Sequence, residues 1–237
     1  MSRRKQEPAY TLDGAEIVGR LRAPPRKIRD ADMRPLVVEF AQARPDSQTL
    51  MHEVGIRESL TYHGKYTGTR VDLLQVASRK LVGYELKGET DSLTGRWVRQ
   101  SAHFQRVFHE LWLVLTENLL HRVKPSDYSS GPNVASPRWG LLVVTEDAGD
   151  LVLHKVRDPE PSDREWWPRV RSDALLQVLW RADLDKLLRA HGGKARSSYP
   201  TRLDALMEAQ RLVPPEAIEA AAVDRFLCGA WREADTP

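Results

Sequence analysis

The sequence predicts an α/β domain with a C-terminal helical tail. Segments rich in β-branched and aromatic residues alternate with segments whose apolar residues recur at helical spacing. Leu111–Leu115 is a short, wholly apolar run, which is typical of a strand buried on both faces. From about residue 172 onward the apolar spacing is helical, and Gly192-Gly193 and Pro214-Pro215 separate the segments. The chain has 237 residues, of which 41% are hydrophobic, enough for one domain or one domain with an appended subdomain.

The first 33 residues are predicted to form a flexible basic arm. Residues 1–30 contain eight Lys and Arg against four Asp and Glu, although the whole chain carries only +3. Prolines interrupt this segment, and apart from Ile17-Val18 it has little apolar periodicity. Lys and Arg displace condensed counterions from phosphates, so such an arm suits contact with DNA. A solvated tail explains the same composition, and charge alone does not separate the two.

The next part of the chain is predicted to contain two helices and four strands. The first helix lies within 34–54, with Pro45-Asp46 as a point of interruption. Asp91-Ser92 has the composition of an N-cap for the second helix, which runs to about Glu110. The predicted strands are Ser59–Tyr66, Arg70–Ala77, Leu81–Lys87 and Leu111–Leu115.

The remaining part begins with a loop at 124–138, predicted from its Pro, Gly and Ser content. Pro215 is expected in the first turn of the last helix, and Gly192-Gly193 just after the end of an earlier one. The predicted elements are a hairpin of Trp139–Thr145 and Leu151–Arg157, and helices at 172–190, 200–211 and 215–232.

Composition excludes several classes of protein. A single cysteine, Cys228, excludes an internal disulfide framework and a cysteine-based zinc site. No apolar run approaches the roughly 18 residues that cross a bilayer. The first residues lead into no apolar segment of the kind found in secretory signals. We therefore expect a soluble, cytoplasmic protein that does not associate with membranes, and the sequence leaves homodimer formation open.

The strand at Leu81–Lys87 carries the most informative polar residues. Residues two apart in a strand share a face, so Glu85 and Lys87 are expected on the same side of the sheet. If Ser78-Arg79 is the centre of an even-numbered hairpin loop, Asp72 lies directly opposite Glu85. Two facing carboxylates repel each other unless a cation lies between them. Lys87 supplies part of that charge, and a divalent metal ion can supply the rest. A surface ion pair on a half-exposed hairpin is the alternative.

Asp, Glu and Lys on one sheet face suit metal-assisted phosphodiester hydrolysis. Carboxylates bind Mg²⁺, a hard ion that prefers oxygen ligands. The bound metal polarises the phosphate and activates the attacking water. An ammonium group positions that water and stabilises the developing negative charge.

These residues resemble the PD-(D/E)XK nuclease superfamily. The resemblance rests on Asp72, then Glu85-Leu86-Lys87 after a short hairpin, followed by a helix and an apolar strand. Val71 stands where the family pattern has Pro. The resemblance covers about residues 36–190 and implies a restriction-endonuclease-like fold, in which helices flank a mixed central sheet.

Three further features are similar to members of this superfamily. Glu53 lies at the end of the predicted first helix, where many members carry a metal-associated Glu. Gln100 and Phe104 resemble the Gln-x-x-x-Tyr motif of the recombination-nuclease branch, with Phe in place of Tyr. The later Trp139-Gly140 and Leu179–Arg181 segments are similar to those of small stand-alone bacterial and phage members.

The resemblance implies a role for each of these residues. Asp72 and Glu85 would bind Mg²⁺, for which Mn²⁺ can substitute, and Glu53 would bind or position a metal. Lys87 would orient the attacking water, and Gln100 would steady the site or the substrate. No small-molecule cofactor is expected. The implied division of the chain is a basic arm at 1–33, a nuclease core at 34–158 and a helical extension at 159–237.

The helix at 93–109 also favours nucleic-acid binding. One of its faces carries Trp97, Gln100, Phe104 and Val107 at helical spacing and is expected in the core. A neighbouring stripe of basic residues is positioned to contact phosphates, although a solvated helix face has the same pattern. The stripe consists of Arg96, Arg99, His103 and Arg106.

The function expected from these features is Mg²⁺-dependent hydrolysis of DNA in repair, recombination or defence. A non-catalytic module of the same fold, binding nucleic acid or a protein, is the principal alternative. Hydrolysis of RNA is a third hypothesis.

Overall fold

A computed structural model gives the structure of the chain. It describes residues 12, 14–24, 26–60, 66–93, 96–121, 138–160, 167–194 and 198–228. The predicted loop at 124–138 therefore lies outside the described residues, except for Arg138. The elements in chain order are β1 (Glu16–Arg22), α1 (Asp30–Gln42), β2 (Ser47–Leu60), β3 (Tyr66–Ala77), β4 (Lys80–Lys87), α2 (Arg96–Val107), β5 (Glu110–Thr116), α3 (Glu117–Leu120), β6 (Gly140–Asp147), β7 (Asp150–Arg157), α4 (Trp167–Leu176), α5 (Arg181–Ala190), α6 (Arg202–Leu212) and α7 (Pro215–Leu227).

The seven strands form one mixed sheet in the order β1-β7-β6-β5-β4-β3-β2. β5 and β6 are parallel and pair from Trp112–Gly140 onward. β7 is antiparallel to both of its neighbours, β6 and β1. The predicted α/β class is confirmed, with helices flanking a mixed sheet and further helices at the C-terminal end of the chain.

Within the predicted flexible arm at 1–33, residues 16–22 form the strand β1. This strand is antiparallel to β7, and its register runs from Glu16–Lys155 to Arg22–Asp150. The Glu16 and Lys155 side chains form an ion pair at 2.9 Å. The local sequence gave little sign of a strand because most of β1 is exposed. Its partner strand also lies far away along the chain.

β2 replaces the second half of the predicted first helix. α1 ends at Gln42, and the strand starts at Ser47, so Pro45-Asp46 separates two elements rather than interrupting one helix. Val54 and Ile56 are both fully buried in this strand, while Gly55 between them is exposed. This spacing of two is the strand period, whereas Leu50 and Val54 alone fit a helix.

The strands around the predicted polar residues are confirmed. β3 contains the predicted strand at Arg70–Ala77, and β4 coincides with Leu81–Lys87 to within one residue. Residues 111–115 of β5 are 0–4% exposed, so this strand is buried on both faces as predicted. The predicted hairpin beyond residue 138 is present as β6 and β7.

The predicted helix at 172–190 is two helices, α4 and α5, with a break at residues 177–180. Arg202 stabilises this break, because its Nη2 donates hydrogen bonds to the carbonyl oxygens of Leu176, Gln177 and Leu179 at 2.8–3.3 Å. These carbonyls have no partner within α4. The glycine end of α5 is confirmed, since Gly192 has a φ of +80° and Gly193 N donates to Leu188 O. In the described part of the chain, no helix has the length and apolar character needed to cross a bilayer.

The chain divides into two compact units that interleave along the sequence. Unit 1 is drawn from Met1–Ser47, Gly83–Ala102 and Glu110–Pro161, and unit 2 from Gln48–Val82, His103–His109 and Ser162–Pro237. In unit 1, aromatic rings form the centre of the core. The Trp112 ring packs edge-on against Phe40, with ring centroids 5.2 Å apart, and lies parallel to Tyr84, with ring centroids 6.4 Å apart. In unit 2, the helices α4 to α7 pack around apolar residues such as Leu188 and Phe226, both no more than 1% exposed.

A buried hydrogen-bond network in unit 2 is centred on His109. Its Nδ1 accepts a hydrogen bond from Leu81 N at 3.1 Å, which places the ring proton of the neutral form on Nε2. That nitrogen is 3.4 Å from Glu219 Oε2, and Arg171 contacts the other oxygen of Glu219 at 3.4 Å. Burial lowers the pKa of His109, and the positive charges of Arg171 and Lys80 lower it further. The hydrogen bond to Glu219 raises the pKa, but by less than burial lowers it. The network therefore holds a neutral histidine.

We expect the free energy of unfolding to fall as the pH is lowered from about 7 to about 5.5. The pKa of His109 is lower in the folded chain than in the unfolded chain, so stability present above the unfolded pKa is lost as the pH falls. His109→Asn keeps an acceptor for Leu81 N but does not titrate, so it should lose less stability over this interval. Urea unfolding at several pH values measures the slope, and His121→Asn, at an exposed position, serves as the control. Equal slopes for wild type and His109→Asn would contradict this assignment.

Candidate functional site

The first part of the candidate site lies in unit 1, at the end of β4. Glu85 and Lys87 lie on one face of the strand, as their spacing predicts, and Lys87 Nζ is 2.5 Å from Glu85 Oε1. Glu85 is only 2% exposed, and the Lys87 side chain is 14% exposed. A carboxylate this deeply buried requires a compensating positive charge, which Lys87 supplies. The pair is therefore not the surface ion pair of the alternative interpretation.

Two tryptophans lie beside this ion pair. Lys87 Nζ is 5.3 Å from the centroid of the Trp97 ring, within the range of a cation–π interaction. Trp97, on α2, packs edge-on against Trp139, with ring centroids 5.2 Å apart. Both rings are almost completely buried. The sequence analysis assigned Trp97 only to core packing, and no motif signalled its contact with Lys87.

The backbone after Lys87 is fixed by a close approach of two segments. A Cβ atom on Gly88 would lie 2.7 Å from Arg29 Cα and 2.8 Å from Ile28 O, so only glycine fits this position. Glu89 N donates a hydrogen bond to Ile28 O, and Asp91 Oδ2 accepts one from Gly88 N. These contacts hold the end of β4 and thereby the position of Lys87.

Gln100 also belongs to unit 1 and lies one turn beyond Trp97 on α2. It is 7% exposed, and Phe104, one turn further on, is fully buried. Gln100 therefore lies on the buried face of the helix, as the predicted apolar face requires. The ring of Phe104 contacts Phe108 and has no polar group to offer.

The turn between β3 and β4 matches the predicted hairpin. Ser78 and Arg79 have φ values of +46° and +61°, and they are the two residues between the strands. Positive φ at both central residues is the signature of the type I′ turn, which joins strands through a two-residue loop. The loop is therefore even-numbered, which is the condition on which the predicted pairing of Asp72 with Glu85 depends.

Other predicted site residues lie in unit 2, on β2 and β3. Asp72 is half-buried on β3, and Arg70, two residues earlier in the same strand, is exposed. Arg70 Nε forms an ion pair with Glu53 Oε2 at 2.7 Å. Arg70 was absent from the predicted site. Because it shares a strand face with Asp72, it places a positive charge beside that carboxylate.

Glu53 does not lie where the sequence analysis expected it. It is in the middle of β2 rather than at the end of a helix, and its backbone φ is +53°. This left-handed conformation is uncommon for a residue other than glycine. Its carboxylate forms the ion pair with Arg70, and its role as a metal ligand stays a prediction.

The metal-binding role of Asp72, Glu85 and Glu53 stays a prediction. Within the ranges that the structure describes, no group of three or more His, Cys, Asp or Glu side chains could hold a metal ion. Mg²⁺ is commonly held by only one or two carboxylates together with water and substrate oxygens. Asp72 and Glu85 have the donor chemistry for such a site.

The basic stripe on α2 is only partly available to a ligand. Arg106 is exposed, as phosphate binding requires, whereas His103 is 4% exposed and faces the interior. His103 is therefore too deeply buried to make the predicted nucleic-acid contact. The side chains of Arg96 and Arg99 lie outside the described residues.

A cleft of about 400 Å³ in unit 1 contains none of the predicted site residues. The charged groups in its wall are paired with one another: Arg44 with Glu110 at 2.8 Å, and Lys155 with Asp158 at 3.6 Å. The cleft therefore offers no uncompensated charge to a ligand.

The fold and these polar groups define an α/β protein with a seven-stranded mixed sheet and a buried Glu–Lys pair at the end of one strand. The chain belongs to the family of bacteriophage P4 protein cII, whose model matches residues 31–226. No curated protein and no solved structure matches it.

Proposed function

We propose that this protein is a metal-dependent deoxyribonuclease related to the PD-(D/E)XK superfamily. The observation that carries the proposal is the buried Glu85–Lys87 pair, on a strand that follows a two-residue turn. With that turn, the hairpin register predicts that Asp72 lies opposite Glu85. This order of residues is the one that the superfamily motif requires.

In this proposal each group has a separate task. Asp72 and Glu85 would hold a divalent metal, which would polarise the scissile phosphate and activate water. Lys87 donates hydrogen bonds to the attacking water and stabilises the negative charge on phosphorus. Gln100 steadies the substrate from the adjoining turn of α2. The cII family is named after a phage protein. The proposed role is in DNA repair, recombination or defence.

The test is cleavage of supercoiled plasmid, linear duplex, single-stranded and branched DNA with Mg²⁺, Mn²⁺ or EDTA. We expect cleavage with either metal and none with EDTA. Matched RNA substrates run in parallel distinguish a ribonuclease. If no DNA or RNA is cut under varied salt and pH by folded protein, the proposal fails.

A non-catalytic nucleic-acid-binding module is a second candidate. It is favoured by the lack of a three-ligand cluster among the described residues and by the engagement of Glu85 with Lys87. This function predicts salt-dependent DNA binding that is unchanged by Lys87→Ala, without cleavage by the parent protein.

Arg70 is expected to contact a DNA phosphate in both proposals. It is exposed, and its guanidinium lies on the strand face that carries Asp72. Arg70→Ala should reduce the slope of log K against log salt by about 0.9, the value expected for one lost phosphate contact on duplex DNA. Glu53→Ala should strengthen binding, because the carboxylate that competes for Arg70 is removed.

Fluorescence anisotropy with a labelled duplex at several salt concentrations measures these effects. Arg79→Ala is the matched control, because Arg79 is similarly exposed and paired with a carboxylate but lies in the hairpin turn. The slope for Arg79→Ala should remain at the wild-type value. Identical slopes for the two arginine variants would remove Arg70 from the binding surface.

A further inference from the structure

Lys87 lies between a carboxylate and an indole ring. Its Nζ is 2.5 Å from Glu85 Oε1 and 5.3 Å from the centroid of the Trp97 ring. A lysine side chain is a flexible four-carbon chain that ends in a compact charge with three donors. Two neighbours on different elements, β4 and α2, therefore restrict a group that would otherwise sample many rotamers.

We infer that Trp97 is a positioning residue for Lys87. The ring attracts the ammonium electrostatically, because the face of an indole carries partial negative charge. Glu85 Oε1 accepts one N–H of the ammonium, and the Trp97 ring attracts the charge without accepting a conventional hydrogen bond. N–H donors thus remain for a water or a phosphate oxygen. The inference rests on the proposed nuclease function for what Lys87 acts on, whereas the contact itself does not depend on it.

An indole at position 97 has an energetic cost, a buried N–H donor, that a phenyl ring would avoid. The Nε1 atoms of Trp97 and Trp139 are both buried and have no hydrogen-bond partner among the described residues. A buried donor without a partner is unfavourable. A phenylalanine ring has no such donor to leave unsatisfied. Indole is, however, the strongest cation–π partner among the aromatic side chains.

The packing around Trp97 fixes the ring that Lys87 contacts. Trp97 is 1% exposed and packs edge-on against Trp139 with an interplanar angle of 76°. Trp139 directly precedes β6, and its carbonyl oxygen accepts a hydrogen bond from Arg157 Nε at 3.0 Å. Trp97 and these neighbours all lie within unit 1.

The test is the rate at which Lys87 is acylated in the folded protein at fixed pH. Mass spectrometry measures this rate. Lys80, which is exposed at the other end of β4, is the internal reference. Trp97→Leu removes the aromatic face, Trp97→Phe keeps a weaker one, and Trp139→Phe changes a buried tryptophan that does not hold Lys87. Relative to Lys80, we expect Lys87 to react about 5-fold faster in Trp97→Leu and about 2-fold faster in Trp97→Phe, within the range of cation–π energies. Trp139→Phe should leave the rate at the wild-type value.

Equal rates in wild type and Trp97→Leu would overturn the inference, as would an equal increase in Trp139→Phe and Trp97→Phe. Circular dichroism identifies the folded variants, and if Trp97→Leu does not fold, the two Phe variants decide the matter. In a cleavage assay, Trp97→Leu should lower kcat with little change in KM, because positioning acts on the bound substrate. Absence of cleavage by the wild type would refute the proposed function, while the acylation rates would still decide whether Trp97 holds Lys87.

Discussion

Replacement of Gly140 by alanine is expected to destabilise the protein by about 3 kcal/mol or more, at the upper end of the cost of overpacking a core. Gly140 is the first residue of β6 and pairs with Trp112 on the parallel strand β5. A Cβ atom at this position would lie 2.3 Å from Trp112 Cε3 and 2.5 Å from Cδ2. These separations are far shorter than a van der Waals contact, so either the indole or the strand must move.

The Trp112 ring has little room to move. Phe40 packs against it edge-on, and Tyr84 lies parallel to it. Trp112 is 3% exposed, so no rotation toward solvent is available without breaking the core of unit 1. The clash therefore has to be relieved by a shift of β6 against β5.

Chemical denaturation of Gly140→Ala and wild type measures the loss in the free energy of unfolding. Gly55→Ala is the matched control, because Gly55 also lies in a strand but nothing is within 4 Å of a Cβ placed there. The double variant Gly140→Ala/Trp112→Leu should recover part of the loss, as contacting residues show coupled effects. A stability change in Gly140→Ala no larger than that in Gly55→Ala would show that the strands accommodate the methyl group.

The local sequence predicted the elements whose signals are contained within a few residues. Leu111–Leu115 predicted a doubly buried strand, and the Ser78-Arg79 loop predicted a hairpin. The presence of Glu85 and Lys87 on one strand face followed from the strand period alone. These features need no knowledge of which distant segment packs against them.

The parts that sequence analysis missed depend on long-range contacts. β1 is a strand because β7 offers a free edge some 130 residues later, and most of its own residues are exposed. Glu53 was placed on a helix because Leu50 and Val54 are four residues apart, which is a helical spacing. The buried pair Val54 and Ile56 is two residues apart, which is the strand period. His103 fits a basic stripe by spacing, yet its burial is set by what packs against α2. The contact between Trp97 and Lys87 joins two elements and has no local signal.

The largest functional effect is expected from variants of the Glu85–Lys87 pair. Lys87→Met should lower kcat for metal-dependent DNA cleavage by about 100-fold or more, as is typical when one donor that stabilises transition-state charge is lost. It should also cost about 3 kcal/mol of stability, because the buried Glu85 carboxylate loses the cation that compensates it. The single variant therefore combines a loss of fold stability with a loss of chemistry.

The double variant Glu85→Gln/Lys87→Met separates these two effects. Replacing both members of a buried pair by neutral groups of similar size is often nearly neutral for stability. We therefore expect the double variant to unfold at close to the wild-type denaturant concentration while remaining inactive. Lys80→Met, an exposed lysine on the same strand, should retain wild-type cleavage and stability. If the stable double variant cleaves DNA at the wild-type rate, the Glu85–Lys87 pair is structural and the catalytic groups lie elsewhere. If it is stable, inactive and still binds DNA, the pair is required for the chemistry rather than for the fold.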